Sequence, residues 1–196
     1  MQATQQLPPD YLEQASLDVS RDKKAMLLLN LAGLLLLIPF GWLFATLFAV
    51  IRPNVATISL AFSGLGSFLL VGVQMLLVVL GVVLCHELVH GLFFWWYTGS
   101  RFHFGLGMGY AYAAAPDWYL PRHQHRVVGL APLVLISLLG LTLLPFLPTA
   151  VLPYLFVALL FNAAGSVGDL AMVGWLLLKP SHTLVRDTGP AIYIYF

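Results

Sequence analysis

Long apolar runs alternate with short polar connectors along this chain. After a mostly polar stretch at 1–24, the residues from Ala25 to Ile51 are almost wholly apolar, and Arg52-Pro53-Asn54 closes the run. A helix of that length crosses the ~30 Å hydrocarbon core of a bilayer with some tilt. Pro39 falls inside it and predicts a kink. After a connector at 53–66, a second apolar helix is predicted from about Ser67 to Tyr97. It ends in Trp95, Trp96 and Tyr97, the residue types that gather at a membrane–water boundary. A third is predicted from Val127 to Phe146. Pro145, Pro148 and Pro153 then mark a short turn, and a fourth runs from Tyr154 to Leu178, ahead of Lys179-Pro180. The pattern predicts an all-α membrane protein with four transmembrane helices.

The largest interhelical segment, 98–126, follows a different period. From Phe102 to Tyr110, large residues alternate with small or polar ones, which predicts a small β-hairpin-like segment between the second and third helices. Gly105, Gly107 and Gly109 fall on one face and leave the backbone bare for another strand. Arg122-His123-Gln124-His125-Arg126 forms a basic cluster ahead of the third helix. Residues 1–24 read as a polar tail with at most a short interfacial helix, and 25–179 as the membrane domain. Residues 180–196 read as a second tail. Its strand-forming end, Ala191–Phe196, is expected to pair with the Gly-rich segment or to lie at the interface.

Charge sets the orientation. With four crossings, both tails and the 98–126 segment share one side, where Arg21, Lys23, Lys24, Arg101, Arg122, Arg126, Lys179 and Arg186 lie. Arg52 is the one basic residue on the other side. The positive-inside rule makes the tails cytoplasmic in a multi-pass protein of the cell membrane. Composition agrees: 60% of residues are hydrophobic and 9% charged, against about 25% charged in soluble domains. The first run begins late and lacks a small-residue cleavage site, so it is expected to stay as an anchor. A net charge of +1 gives no reason to expect nucleic acid as a partner. The single cysteine, Cys85, excludes an internal disulfide and reads as a small packing residue.

The candidate chemistry sits in the second helix, at Cys85-His86-Glu87-Leu88-Val89-His90-Gly91. In H-E-x-x-H, two histidines at i and i+4 share a helical face and can grip one Zn²⁺, while the glutamate between them can take a proton from the attacking water. With six histidines and two glutamates in the chain, chance supplies roughly 0.002 such matches. Catalytic zinc usually has three protein ligands. Asp169 is the one carboxylate within the predicted helices outside this motif, and an intramembrane carboxylate calls for a partner. Leu88, midway between the histidines, lies ten residues before Thr98, and Asp169 lies ten before Lys179. Both therefore fall roughly 15 Å from the same end of antiparallel helices. Asn162, two turns before Asp169, could hold a substrate backbone or an oxyanion, or make an interhelical hydrogen bond. Gly165, Ser166 and Gly168 allow close helix approach.

Taken together, His86–Gly91, the Gly-rich segment, Ala131-Pro132, Asn162 and Asp169 resemble the putative zincin peptidases. These are small bacterial multi-pass membrane proteins akin to the site-2 intramembrane metalloproteases. The resemblance covers 67–179 best and implies His86, His90 and Asp169 as Zn²⁺ ligands with Glu87 as general base. The element around Asp169 departs from the N-P-D-G-like pattern of site-2 proteases: no proline precedes it and Leu170 follows it. The expectation is a membrane-embedded zinc metallopeptidase that cuts a membrane protein or peptide within or next to the bilayer. Asn162, Gly105 and Gly107 are the candidate substrate-binding residues. A catalytically inactive zinc-binding scaffold and a metal transporter are the alternatives. The scaffold normally loses the glutamate or a ligand, and the transporter needs polar groups along a path.

Overall fold

Asp22 turns the N-terminal stretch into a helix. Its side chain accepts from the Lys24 and Ala25 N–H groups, both at 3.0 Å, which a helix start otherwise leaves unpaired. In the computed structural model, which describes residues 2–55, 60, 62–107 and 110–196, helix α1 runs Lys23–Ile51 and continues through Pro39. Helix α2 runs Leu65–Thr98 and stops at Gly99, whose φ of 67° is the left-handed conformation glycine adopts at helix ends. Helix α3 runs Arg122–Leu143 and continues as a 3₁₀ turn to Phe146. It begins earlier than its apolar pattern predicts, because the Arg122 N–H bonds the Thr183 carbonyl and the Arg122 guanidinium caps the carbonyls of Leu176 and Lys179. The basic cluster is thus the first turn of the helix.

The predicted fourth helix is two: α4, Leu152–Gly165, and α5, Val167–Leu177. They break at Ser166, whose hydroxyl bonds back to the Asn162 carbonyl at 2.9 Å, a contact that loosens a helix, between two glycines of low helix propensity. Four helical segments, Lys23–Ile51, Leu65–Thr98, Arg122–Phe146 and Thr149–Leu177, are long and apolar enough to cross a membrane. Ile38, Trp42, Leu70 and Leu77 are each more than half exposed, part of an apolar belt larger than a soluble domain carries. Val83, Leu84 and Cys85 also face outward, so Cys85 does not pack inside as expected.

The hairpin is present as β2, His103–Gly107, and β3, Tyr110–Ala114. Met108 and Gly109 lie outside the described residues, as does part of the 53–66 connector. The tails depart most from expectation. Strand β1, Glu13–Asp18, lies within the N-terminal stretch. With β4, Tyr119–Pro121, β5, Leu184–Asp187, and β6, Ala191–Tyr195, it forms an antiparallel sheet in the order β1-β6-β5-β4. Strand β6 therefore pairs with β1 and β5, not with the Gly-rich segment. The reason is packing: Met172 and Leu176 of α5 form one core with Val185 and Ile194 of the sheet, so the apolar face of β6 is covered where it lies. The protein is mostly helical, with a four-stranded sheet gathering both tails at one end of the helices and a hairpin that packs along α2 beside a cavity.

At the far end Phe44, Phe48, Leu144, Leu152, Leu159 and Ala163 form a second core. There the Arg52 guanidinium donates to the carbonyls of Leu144, Pro145 and Leu147 at 3.0, 3.1 and 2.9 Å. These carbonyls end α3 and have no intrahelical donor. Arg52→Ala is expected to lower stability by about 1–3 kcal/mol, the cost of leaving polar groups unpaired, read as a lower melting temperature in detergent. An unchanged melting temperature would show that water replaces the guanidinium fully.

Candidate metal centre

Between the two end cores lies a cavity of about 920 Å³, walled by α1, α2, the start of α3, the α4–α5 break and β3. His86, Glu87, His90, Gly91 and Phe94 form the buried face of α2, at the i, i+1, i+4 spacing of one helical side. The Phe102 ring lies on Gly91 so closely that a Cβ there would stand 2.5 Å from it, which explains the glycine after the second histidine. Asp169 enters from the first turn of α5, just past the break at Ser166.

Three side chains converge. His86 Nε2 is 3.1 Å from Asp169 Oδ2, His90 Nε2 is 3.3 Å from Asp169 Oδ1, and the two Nε2 atoms are 3.1 Å apart. The other ring nitrogens explain the orientation. His86 Nδ1 is 3.0 Å from Asn162 Oδ1, and Asn162 Nδ2 donates to the Pro132 carbonyl at 3.2 Å, so this amide oxygen can only accept. His90 Nδ1 is 3.0 Å from the Val128 carbonyl, also an acceptor only. Both histidines therefore carry their proton on Nδ1 and turn an Nε2 lone pair inward. Two lone pairs and a carboxylate facing one another repel unless a proton or a metal ion lies among them. Ligand atoms ~2.0–2.1 Å from a tetrahedral zinc are about 3.3 Å apart, close to the separations observed. The donor set fits Zn²⁺.

Glu87 is 8% exposed and outside this trio. Its carboxylate lies by the Ala113 backbone N–H of β3. Asn162 is 2% exposed and both ends of its amide are engaged, so it braces His86. Gly105 and Gly107 are on β2, the hairpin strand opposite β3, and pair with Tyr112 and Tyr110. A Cβ on either glycine would collide with those tyrosine rings. The bare backbone is thus covered from within the hairpin, while Tyr110–Ala113 of β3 line the cavity.

A family model described as "Putative zincin peptidase" matches residues 79–184, just over half of the chain. The chain belongs to that family. The matched stretch runs from near the middle of α2 to the start of β5, so the family's segment holds His86, Glu87, His90, Asn162, Asp169 and the hairpin. Its description points to a metallopeptidase. No curated protein and no solved structure matches the chain.

Two cavity-lining groups were not singled out in the sequence. His125 Nε2 donates to Asp187 Oδ2 at 3.2 Å, and Asp187 Oδ1 accepts from the Gly189 N–H at 2.8 Å, which ties α3 to the β5–β6 turn. His125 reads as one member of a basic flank, and Asp187 as one tail carboxylate. The other group is Asn30 of α1, hidden in sequence by the leucines around it.

Proposed function

We propose that this protein is a membrane-embedded zinc metallopeptidase that hydrolyses a peptide bond of a membrane protein or peptide within or next to the bilayer. The convergence of two inward Nε2 lone pairs and the Asp169 carboxylate beside a buried glutamate carries the reading. His86, His90 and Asp169 would hold the ion. Zn²⁺ in such a site polarises a scissile carbonyl and makes water nucleophilic near neutral pH. The chain's own groups supply the rest. Glu87 accepts a proton as water adds to the carbonyl carbon, then passes it to the amide nitrogen as the C–N bond breaks. Asn162 and the Val128 carbonyl hold the imidazoles with Nε2 turned inward.

The substrate must be extended to be cut, because helical hydrogen bonds hold its carbonyls. Strand β3 supports a way to bind it. Its one strand partner among the described residues is β2. Because alternate residues of a strand present their polar groups to the same edge, Ala111 faces the edge that Ala113 turns towards Glu87. An extended chain adding there would lie beside the base. This role falls to β3 rather than to Gly105 and Gly107. Four crossings and the basic bias towards the sheet end support a multi-pass protein with cytoplasmic termini.

The test is metal analysis of the purified protein together with cleavage of a labelled, apolar membrane-spanning peptide carrying a Gly-Pro break, both reconstituted in lipid vesicles. The expected result is one zinc per chain and zinc-dependent cleavage at or near the break. Protein that binds zinc and cuts no member of a panel of such peptides would favour the scaffold.

A further inference from the structure

Helix α1 packs on α4 and α5, and α2 packs on α3 and α4, while α1 and α2 make no extended contact with each other. Leu34 of α1 and Val83 of α2 both line the cavity and are still 62% and 41% exposed. The cavity is therefore open between these two helices, along a wall that faces lipid in a membrane.

Four residues of α1 make a stripe into the cavity at helical spacing: Met26, Asn30, Gly33 and Leu37. Gly33 sets its closeness, since a Cβ there would stand 3.3 Å from the Ala164 carbonyl oxygen and 3.4 Å from Val167 Cγ1. Asn30 is the polar member. The other polar side chain within the apolar part of α1, Thr46, bonds its own helix at the Trp42 carbonyl. Asn30 is an exposed member of the cavity lining and has no hydrogen-bond partner among the described residues. An unpaired amide is costly in hydrocarbon, so its presence on the cavity face calls for an occupant. Seven residues from Lys23, it lies about 10 Å from the sheet end of its helix, one turn nearer that end than the metal group.

Strand addition explains which occupant. A chain paired to β3 on one edge still has N–H and C=O groups on its other edge, and a water-poor site offers them little. A carboxamide carries both a donor and an acceptor and can pair with such an edge. A lipid acyl chain can make neither bond. We propose that Asn30 is a substrate-binding residue. It hydrogen-bonds the free main-chain edge of an unwound membrane segment that arrives between α1 and α2 and pairs with β3. This rests on the peptidase reading and deepens it by placing a main-chain contact on the α1 wall of the cavity.

The test measures binding separately from turnover. Zinc-loaded Glu87→Gln protein in lipid nanodiscs is titrated with a fluorescein-labelled apolar peptide of about 25 residues, long enough to span, with a central Gly-Pro break. Adding Asn30→Leu is expected to weaken binding about tenfold, the effect of one lost net hydrogen bond or slightly more, with metal content and melting temperature unchanged. Asn30→Gln is expected to recover most of the affinity. The effect of Asn30→Leu should shrink for a peptide N-methylated at alternate residues on the edge away from β3, which leaves that edge its carbonyls and no N–H donors. Equal affinity with and without Asn30→Leu overturns the proposal, as does failure of the peptide to bind the Glu87→Gln protein at all. Cleavage of the same peptide by the wild-type protein is scored separately, so the peptidase reading stands or falls on its own.

Discussion

Replacing Glu87 with Gln is expected to abolish hydrolysis while the zinc content stays at the wild-type level. The substitution keeps side-chain size and removes the group that can accept a proton, so the rate should fall about 10²–10⁴-fold, the usual contribution of a positioned base. Metal should remain because the ligand atoms belong to His86, His90 and Asp169, and Glu87 lies outside them. The melting temperature should not fall, since the change removes a carboxylate from apolar surroundings. Turnover is read by peptide cleavage in vesicles, and zinc by elemental analysis of the same sample. A Gln variant cutting at the wild-type rate would assign the base elsewhere. Loss of zinc along with activity would make Glu87 a ligand.

The second large effect is on the metal itself. Asp169→Ala leaves two imidazoles and should weaken zinc binding by more than the ~10–100-fold typical of losing a residue that only braces a ligand. Asn162→Ala should fall in that lower range, since it frees the His86 ring without removing a donor. Competition with a chelator of known affinity ranks the two, and His86→Ala should resemble Asp169→Ala. Full zinc retention in Asp169→Ala would break the three-ligand reading. A larger loss in Asn162→Ala than in Asp169→Ala would move the third ligand to the amide.

What could be read from the sequence follows from the range of the forces involved. The four apolar helices were legible because run length alone answers to bilayer thickness, and H-E-x-x-H because both histidines act within one helical turn. Asp169 stood out as a carboxylate with nothing polar beside it, and depth along antiparallel helices brought it level with the histidines. The terminal sheet was not legible. Glu13-Gln14-Ala15-Ser16-Leu17-Asp18 has weak alternation, and its partner β6 follows only after the whole helical domain in sequence. Nor was the break at Ser166, since Gly165 and Gly168 read equally well as residues for close packing. The glycines of β2 read as a bare edge for a partner strand. Their bareness admits Tyr110 and Tyr112, a cross-strand fit that no single-strand pattern shows. Asn30 was lost among leucines, because a single amide changes neither the period nor the mean hydropathy of its helix.

The terminal sheet also bears on how the chain is threaded. The ribosome makes β1 before the first of the four apolar helices, and its ladder partner β6 after the last. In a bilayer the two strands meet only if the number of crossings between them is even. A molecule that misses one crossing leaves β1 and β5–β6 on opposite sides with open edges. The cavity then lacks Leu17, Val19, Asp187 and Ile192, which line it from these segments. If the four apolar helices cross a bilayer, closure of the sheet would thus work as a parity check on their topology, and a misthreaded chain would stay without a complete site.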